Sequence, residues 1–275
     1  MLPSCIKSIQ DQTYPHWELI IVDDGSTDDT TNYINQLDDR RISLLTKEHS
    51  GNVAALRNAG LSKASGEFIA FNDSDDLWDP KKLELQVKAL QSHEEAGFCL
   101  TNGYNCYHPG EPLNYFYKEK QSQLPEDLFH RCFQSRVTCF AQTLMIRKSC
   151  LATTGFFEEE GNADRQFIVL LAFHFKGVIL NEPLVFRIMH QQNISHSKWM
   201  RQYQNEIDLI KKLKPLLPSS IAKNAMFRVY ISFGEDYLLH HEKKQAARMF
   251  VKAALTRPFS LVPVKKLGKT LLQNR

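Results

Sequence analysis

The sequence predicts an α/β fold, a mostly parallel sheet flanked by helices with a helical C-terminal extension, and three observations predict it. Short apolar, β-prone runs alternate with helical stretches at a spacing that suits right-handed crossovers. Two of those runs, residues 17–22 and 68–71, stop at Asp-rich turns, and ligands of parallel sheets bind outside the carboxyl ends of the strands. From about Met200 onward the periodicity is helical. A chain of 275 residues is long enough to bury one sizeable core and carry an appendage.

Taken in order, residues 3–12 place Cys5, Ile6 and Ile9 on one side of an opening helix. Residues 17–22 form a continuous apolar run, as in a parallel strand covered on both faces. It breaks at Asp23-Asp24-Gly25-Ser26-Thr27, where Gly25 permits a sharp turn. Ser26 or Thr27 can cap a helix to about Leu37, with Asp28 and Asp29 in its favourable first turn. A short strand over 42–45 follows, and Ser50-Gly51-Asn52 opens a helix over 53–63 that holds Arg57 and Asn58. The run 68–71 then delivers Asp73, Asp75 and Asp76, and Pro80 starts the helix bearing Leu83, Val87 and Leu90. After a strand over 97–101 the alternation fades. Residues 104–136 are aromatic and polar, either an excursion that reads a variable substrate or an ordinary packed insertion. Strand 137–146, a turn at 155–157 and a helix over 164–174 come next. Residues 178–186, interrupted by Asn181-Glu182-Pro183, read as an edge strand or two short ones.

Composition excludes several classes. With 34 Lys+Arg against 31 Asp+Glu the net charge of +3 is too small to argue for nucleic acid, and no basic stripe interleaves with aromatics. The 6 cysteines lack C-x-x-C spacing and read as reduced thiols of a cytosolic protein. No apolar run approaches the roughly 18 residues of a membrane span, and no signal-peptide pattern opens the chain. The expectation is a cytoplasmic protein. Its basic tail, including Lys265, Lys266 and Lys269, either touches an anionic membrane surface or forms a solvated terminal helix. Carboxylates as crowded as Asp73, Asp75 and Asp76 repel one another, and their hard oxygens suit Mg²⁺ or Mn²⁺ held jointly with a ligand's phosphates. The plainer alternative is a solvated acidic turn that caps the next helix.

Taken together, several segments resemble the inverting family 2 glycosyltransferases, which have the GT-A nucleotide-sugar-binding fold. The resemblance runs from Leu2 to about Ser197. It rests on Ser8 to Tyr14, Glu18 to Thr30 with its Ile21-Val22-Asp23-Asp24-Gly25-Ser26, Ala55-Leu56-Arg57-Asn58-Ala59-Gly60, and Ala64 to Asp76. Gly155-Phe156-Phe157-Glu158 before Ala163-Asp164, and Arg187-Ile188-Met189-His190 before Asn193-Ile194-Ser195, complete it. Six such segments in the expected order are specific where one is not. The division it implies is a GT-A domain over 1–197 and a helical extension over 198–275.

The resemblance also assigns roles. Asp24 pairs with the base of a nucleotide-sugar donor, with a lean toward uridine, and Asp23 is its structural neighbour. Asp73 and Asp75 form the family's metal motif, with Asp75 the direct ligand and Asp73 nearer the ribose, while Arg57 adds positive charge near the nucleotide or is an ordinary surface ion-pair partner. Asp164 holds the place of the catalytic base. Spacing alone makes Asp164 a helix N-cap, and the family's usual acidic pair is reduced here to Ala163-Asp164. His190 ligates the metal or touches the diphosphate, although a lone His after an apolar strand is ordinarily structural. The acceptor implied is a hydroxyl of a saccharide or lipid-linked molecule; the alternative is a degenerate, non-catalytic nucleotide-sugar binder. A nucleotidyltransferase would need a Gly-rich phosphate loop that the sequence lacks. Family members also begin with an apolar strand ahead of the helix that starts here at Pro3, so the expectation is a true start upstream of Met1, the rival being a shortened protein of little activity.

Overall fold

The structure is a computed structural model that describes residues 1–118, 120–134, 136–159, 163–190 and 199–272. It divides into two compact units, Met1–Asn193 and Ile194–Arg275. The segment Asn193-Ile194-Ser195 and the expected boundary at 197/198 lie outside the described residues.

In the first unit, α1 (Leu2–Gln10) leads to β1 (Leu19–Asp23), α2 (Thr30–Asn35), β2 (Ile42–Thr46), α3 (Val53–Lys63), β3 (Phe68–Ala70), β4 (Leu77–Trp78) and α4 (Lys82–Ser92). Then come β5 (Ala96–Cys106), β6 (Pro112–Tyr115), α5 (Phe129–Phe133), β7 (Leu144–Arg147), α6 (Leu151–Thr154), α7 (Ala163–His174) and β8 (Lys176–Ile188). The α/β class holds, but the pairing is mixed rather than mostly parallel. β1 and β2 form a parallel two-stranded sheet, and the other strands form a six-stranded sheet in the order β3-β7-β5-β8-β4 with β6 on β5. In that sheet only β5 with β8 is parallel, and the β3–β7, β4–β8, β5–β6 and β5–β7 pairs are antiparallel.

Four expectations need correction. α2 starts at Thr30 with Asp29 at its N-cap, so Ser26 and Thr27 do not cap it and Asp28 and Asp29 precede its first turn. β8 is an interior strand between β5 and β4 rather than an edge, and it runs unbroken through Pro183. Opposite Asn102 of β5, β8 bulges, with Asn181 and Glu182 outside the β5–β8 register, and the proline sits at that irregularity. The strand expected over 137–146 is confined to Leu144–Arg147, because Ala141–Thr143 turn as a short 3₁₀ helix. β1 is half-buried along Leu19 to Val22 rather than covered on both faces, since its sheet has just two strands.

Helices α1 and α4 cover the larger sheet. Ile9, Leu83, Val87 and Leu90 pack with Trp78, Cys99, Met145, Val178 and Val185, each fully buried side chain contributing about 1.5–3 kcal/mol. Buried Gln12 joins these helices by accepting from Leu83 N at 2.9 Å and donating to the Asp79 carbonyl at 2.7 Å. A second apolar cluster sets the site. The Phe71 ring meets Phe157 edge-on at 5.1 Å, and Phe157 lies 4.2 Å from Phe167 of α7. The end of β3 and the start of α7 are thereby held to one turn.

The second unit comprises α8 (Trp199–Leu213), α9 (Ser219–Leu239), α10 (Lys243–Thr256) and α11 (Leu261–Leu272). Ile207, Phe233 and Met249 form its core, with Tyr203 and Phe233 stacked at 4.6 Å.

Candidate active site

Two acid-bearing loops and one helix end build the site. The first follows β1. Gly25 has φ +74 there, and a Cβ on it would stand 2.9 Å from His49 N, so the turn needs glycine on both counts. Asp23 turns back to accept from Ser26 N at 3.1 Å and from Ser26 Oγ. Asp24 faces the entry to α3 and accepts from Ser50 N at 2.8 Å, Ser50 Oγ at 2.9 Å and Gly51 N at 2.7 Å. The Ser50 backbone bond foremost holds its carboxyl below the usual Asp range. Asn52 caps α3 as expected, accepting from Ala54 N and Ala55 N.

The second loop follows β3, and its three carboxylates part company. Asp73 meets the Arg57 guanidinium at 2.7 Å. Asp75 Oδ2 lies 2.8 Å from His190 Nε2 just after β8. Asp76 is buried, accepting from Gln142 Nε2 at 2.7 Å and from Ile188 N at 3.0 Å. Burial, then the charges of Asp73 and Asp75, push the Asp76 carboxyl up to about 7. Beneath the loop, Trp78 is core, with the Lys82 ammonium 3.9 Å over its ring.

Asp164 lies in the first turn of α7. One oxygen accepts from Arg57 and the other from Ala141 N at 3.1 Å. Arg57, only 12% exposed, therefore spans Asp73 and Asp164 with its two terminal nitrogens. It is a buried link between both carboxylates rather than a surface ion pair. Its neighbour Asn58 donates to the Phe157 carbonyl at 2.8 Å and accepts from Phe157 N at 2.9 Å, which ties α3 to the turn before α7.

Among the described residues no group of three or more His, Cys, Asp or Glu is assembled to hold a metal ion. The three expected ligands divide accordingly, Asp75 with His190 and Asp73 with Arg57. The Asp75–His190 pair nevertheless fits a divalent cation. Two donors of one octahedral ion at bonds of about 2.1 Å lie about 3 Å apart, and these lie 2.8 Å apart. A cation with two protein ligands takes its other ligands from phosphate and water.

Four partners escaped sequence reasoning. Gln142 and the Ala141 amide sit in a 3₁₀ turn that no periodicity marks, and Ser50 and Gly51 were recognised only as a helix opening. The backbone-rich setting of Asp24 leaves no pattern in the residues that donate to it.

Known structures share this architecture. A Staphylococcus aureus TarS fragment in complex with UDP-GlcNAc superposes with a TM-score of 0.71 at 18% identity over 93% of this chain and 77% of that one. A mannosyltransferase from Pyrobaculum calidifontis, in complex with GDP-Man and Mn²⁺, gives 0.59 at 18% identity over 99% and 76%. The fold is GT-A, that of nucleotide-sugar glycosyltransferases. The family model for glycosyl transferase family 2 matches residues 1–151, and the chain belongs to that family as a glycosyltransferase. Bacillus subtilis TuaG, named for teichuronic acid biosynthesis, is 32% identical over 200 residues, 70% of this chain and 76% of TuaG. Escherichia coli WfgD, named as a UDP-Glc:α-D-GlcNAc-diphosphoundecaprenol β-1,3-glucosyltransferase, is 45% identical over 89 residues, 32% of this chain and 35% of WfgD. No described helix is long and apolar enough to cross a membrane.

Proposed function

We propose that the protein is an inverting, metal-dependent transferase that moves a sugar from a UDP-sugar to a hydroxyl of a saccharide or lipid-linked acceptor. The observation that carries this reading is the Arg57 bridge, which holds a donor-side carboxylate, Asp73, and the candidate base, Asp164, on one guanidinium. Supporting it are the UDP-GlcNAc in a structural neighbour and the lipid-linked acceptor in the name of a relative.

Asp164 is the base. A carboxylate offers about four acceptor positions; Arg57 and Ala141 N occupy one on each oxygen and leave the others for an acceptor hydroxyl. Asp164 takes the hydroxyl proton as that oxygen attacks the anomeric carbon, and the bond from that carbon to the diphosphate oxygen breaks on the opposite face. One base suffices, because inversion needs no covalent sugar intermediate. Asp24, with Asp23 bracing its turn, receives the nucleotide base, and Asp73 lies toward the ribose. Asp75 and His190 would hold the Mg²⁺ or Mn²⁺, whose chemistry is to neutralise charge developing on the leaving diphosphate. Peripheral contact with the cytoplasmic face of a membrane through the basic C-terminal tail belongs to the same reading.

The test is a panel of nucleotide sugars incubated with Mn²⁺ and an acceptor. Release of nucleoside diphosphate from one UDP-sugar with a β-linked product from an α-linked donor, or the reverse, is the expected result. Retention of anomeric configuration, or pyrophosphate as the released group, contradicts it.

A further inference from the structure

The C-terminal unit carries a surface of unusual composition. Between Lys243 and Arg275 the chain has nine Lys or Arg and no Asp or Glu, an asymmetry hidden by the overall charge of +3. Helix α10 buries Ala246, Met249, Phe250 and Ala253 and exposes the opposite face, where Lys244, Arg248, Val251, Lys252 and Leu255 recur at helical spacing. Three of those five are cationic. The turn into α11 then inverts the usual rule. Phe259 is 101% exposed, and Leu255 and Leu261, within four residues of it on either side, are 76% and 68% exposed. Helix α11 buries Pro263 and turns Leu261, Val264 and Lys265 outward. A chain that can bury Phe250 completely does not lack room for apolar groups in this unit. Large apolar side chains at a helix corner, with cations and no acids beside them in the sequence, form the pattern of an interfacial membrane anchor, in which aromatic and aliphatic groups enter the headgroup boundary and Lys or Arg meet lipid phosphates.

We infer that the α10–α11 corner is a docking surface for an anionic lipid bilayer, with Phe259, Leu255 and Leu261 entering the interface and Lys252, Arg257 and Lys265 contacting acidic headgroups. Charge complementarity selects this occupant: Glu235 of α9 pairs with Lys266 of α11, and the remaining exposed cations of α10 and α11 give a basic face that matches an anionic sheet and repels a second copy of itself. No described helix is long and apolar enough to cross a membrane, and the apolar corner supplies the second signal that stable peripheral binding needs beside charge. This names the surface and the lipid behind the membrane contact proposed above, and it stands whether or not the acceptor is lipid-linked.

The experiment is co-sedimentation of the full chain with phosphatidylcholine vesicles, alone or with part of the lipid replaced by phosphatidylglycerol. Three proteins are compared, the wild type, Phe259→Ser/Leu261→Ser, and Lys252→Gln/Arg257→Gln/Lys265→Gln. The wild type binds the anionic vesicles and releases them at high salt. The apolar variant loses about tenfold in partition coefficient, and the charge variant loses about a hundredfold, at about fivefold per cation. These positions are exposed, so the melting temperature and nucleoside diphosphate release from the free donor stay at wild-type levels in both variants. Equal binding to neutral and anionic vesicles overturns the inference, as does wild-type binding by either variant. Concentration-dependent self-association that Phe259→Ser disperses, without vesicle binding, assigns the corner to a second copy instead and also overturns it. Failure of donor turnover in the wild type would refute the transfer reading and leave the vesicle result intact.

Discussion

The two acid-bearing loops of the first unit look alike in sequence and are held in opposite ways. After β1, Asp23 and Asp24 are satisfied mainly by hydroxyl and backbone N–H donors, with the His49 ring 3.2 Å from Asp24, and Asp24 is held below the usual range. After β3, the carboxylates lean on distant side chains, Arg57, His190 and Gln142. Their mutual repulsion contributes to lifting Asp76 to about 7, behind burial. The first loop thus holds its carboxylates by local donors, and the second gathers negative charge.

That contrast can be broken at the bridge. Arg57→Ala strands two carboxylates around a mostly buried position, and breaking such a pair costs about 3–5 kcal/mol. Chemical denaturation should show a loss of that order. Arg57→Lys should recover little of it, because a point charge cannot span both acids. Smaller is Asp75→Ala, which should remove the Mn²⁺-dependent part of UDP affinity, about tenfold, in calorimetry with and without the ion. An unchanged metal effect would move the cation away from the second loop. Asp24→Ala should weaken UDP several-fold to the same extent with and without Mn²⁺, the signature of a pocket that owes nothing to the ion.

A pH-dependent effect lies beneath the second loop. Lys82 is fully buried, donates to Gln86 Oε1 at 2.7 Å, and burial lowers its pKa from 10.5 to about 7. Above that value the folded state has released a proton that the unfolded chain keeps until about 10.5. Stability linked to Lys82 therefore rises with pH across this window, at up to about 1.4 kcal/mol per unit. Wild-type stability minus that of Lys82→Met, measured from pH 6 to 9, should climb above pH 7; a flat difference would show that Lys82 stays charged in the fold.

The strand-end acids were legible because an apolar run stopped by Asp is a local signal, and α3 was legible because Asn52 caps it. Pro183 misled, since β8 bulges at Asn181 and Glu182 against β5 and so keeps its proline inside the sheet, a pairing that local sequence does not reveal. The aromatic stretch before Leu144 also passed for strand. Phe140 packs edge-on with Phe116 at 5.2 Å, so its apolar character serves a ring contact rather than a ladder. The role of Arg57 was out of reach for a related reason, because helix spacing fixes its direction but not the residues 16 and 107 positions away that meet it.

The central claim is that Asp164 deprotonates the acceptor within reach of a donor held by the two loops. It is tested most directly by comparing the wild type with Asp164→Asn in single-turnover sugar transfer and UDP binding. Transfer should fall roughly a thousandfold with UDP affinity unchanged. Transfer at wild-type rate, or a matching loss of UDP affinity, would contradict it.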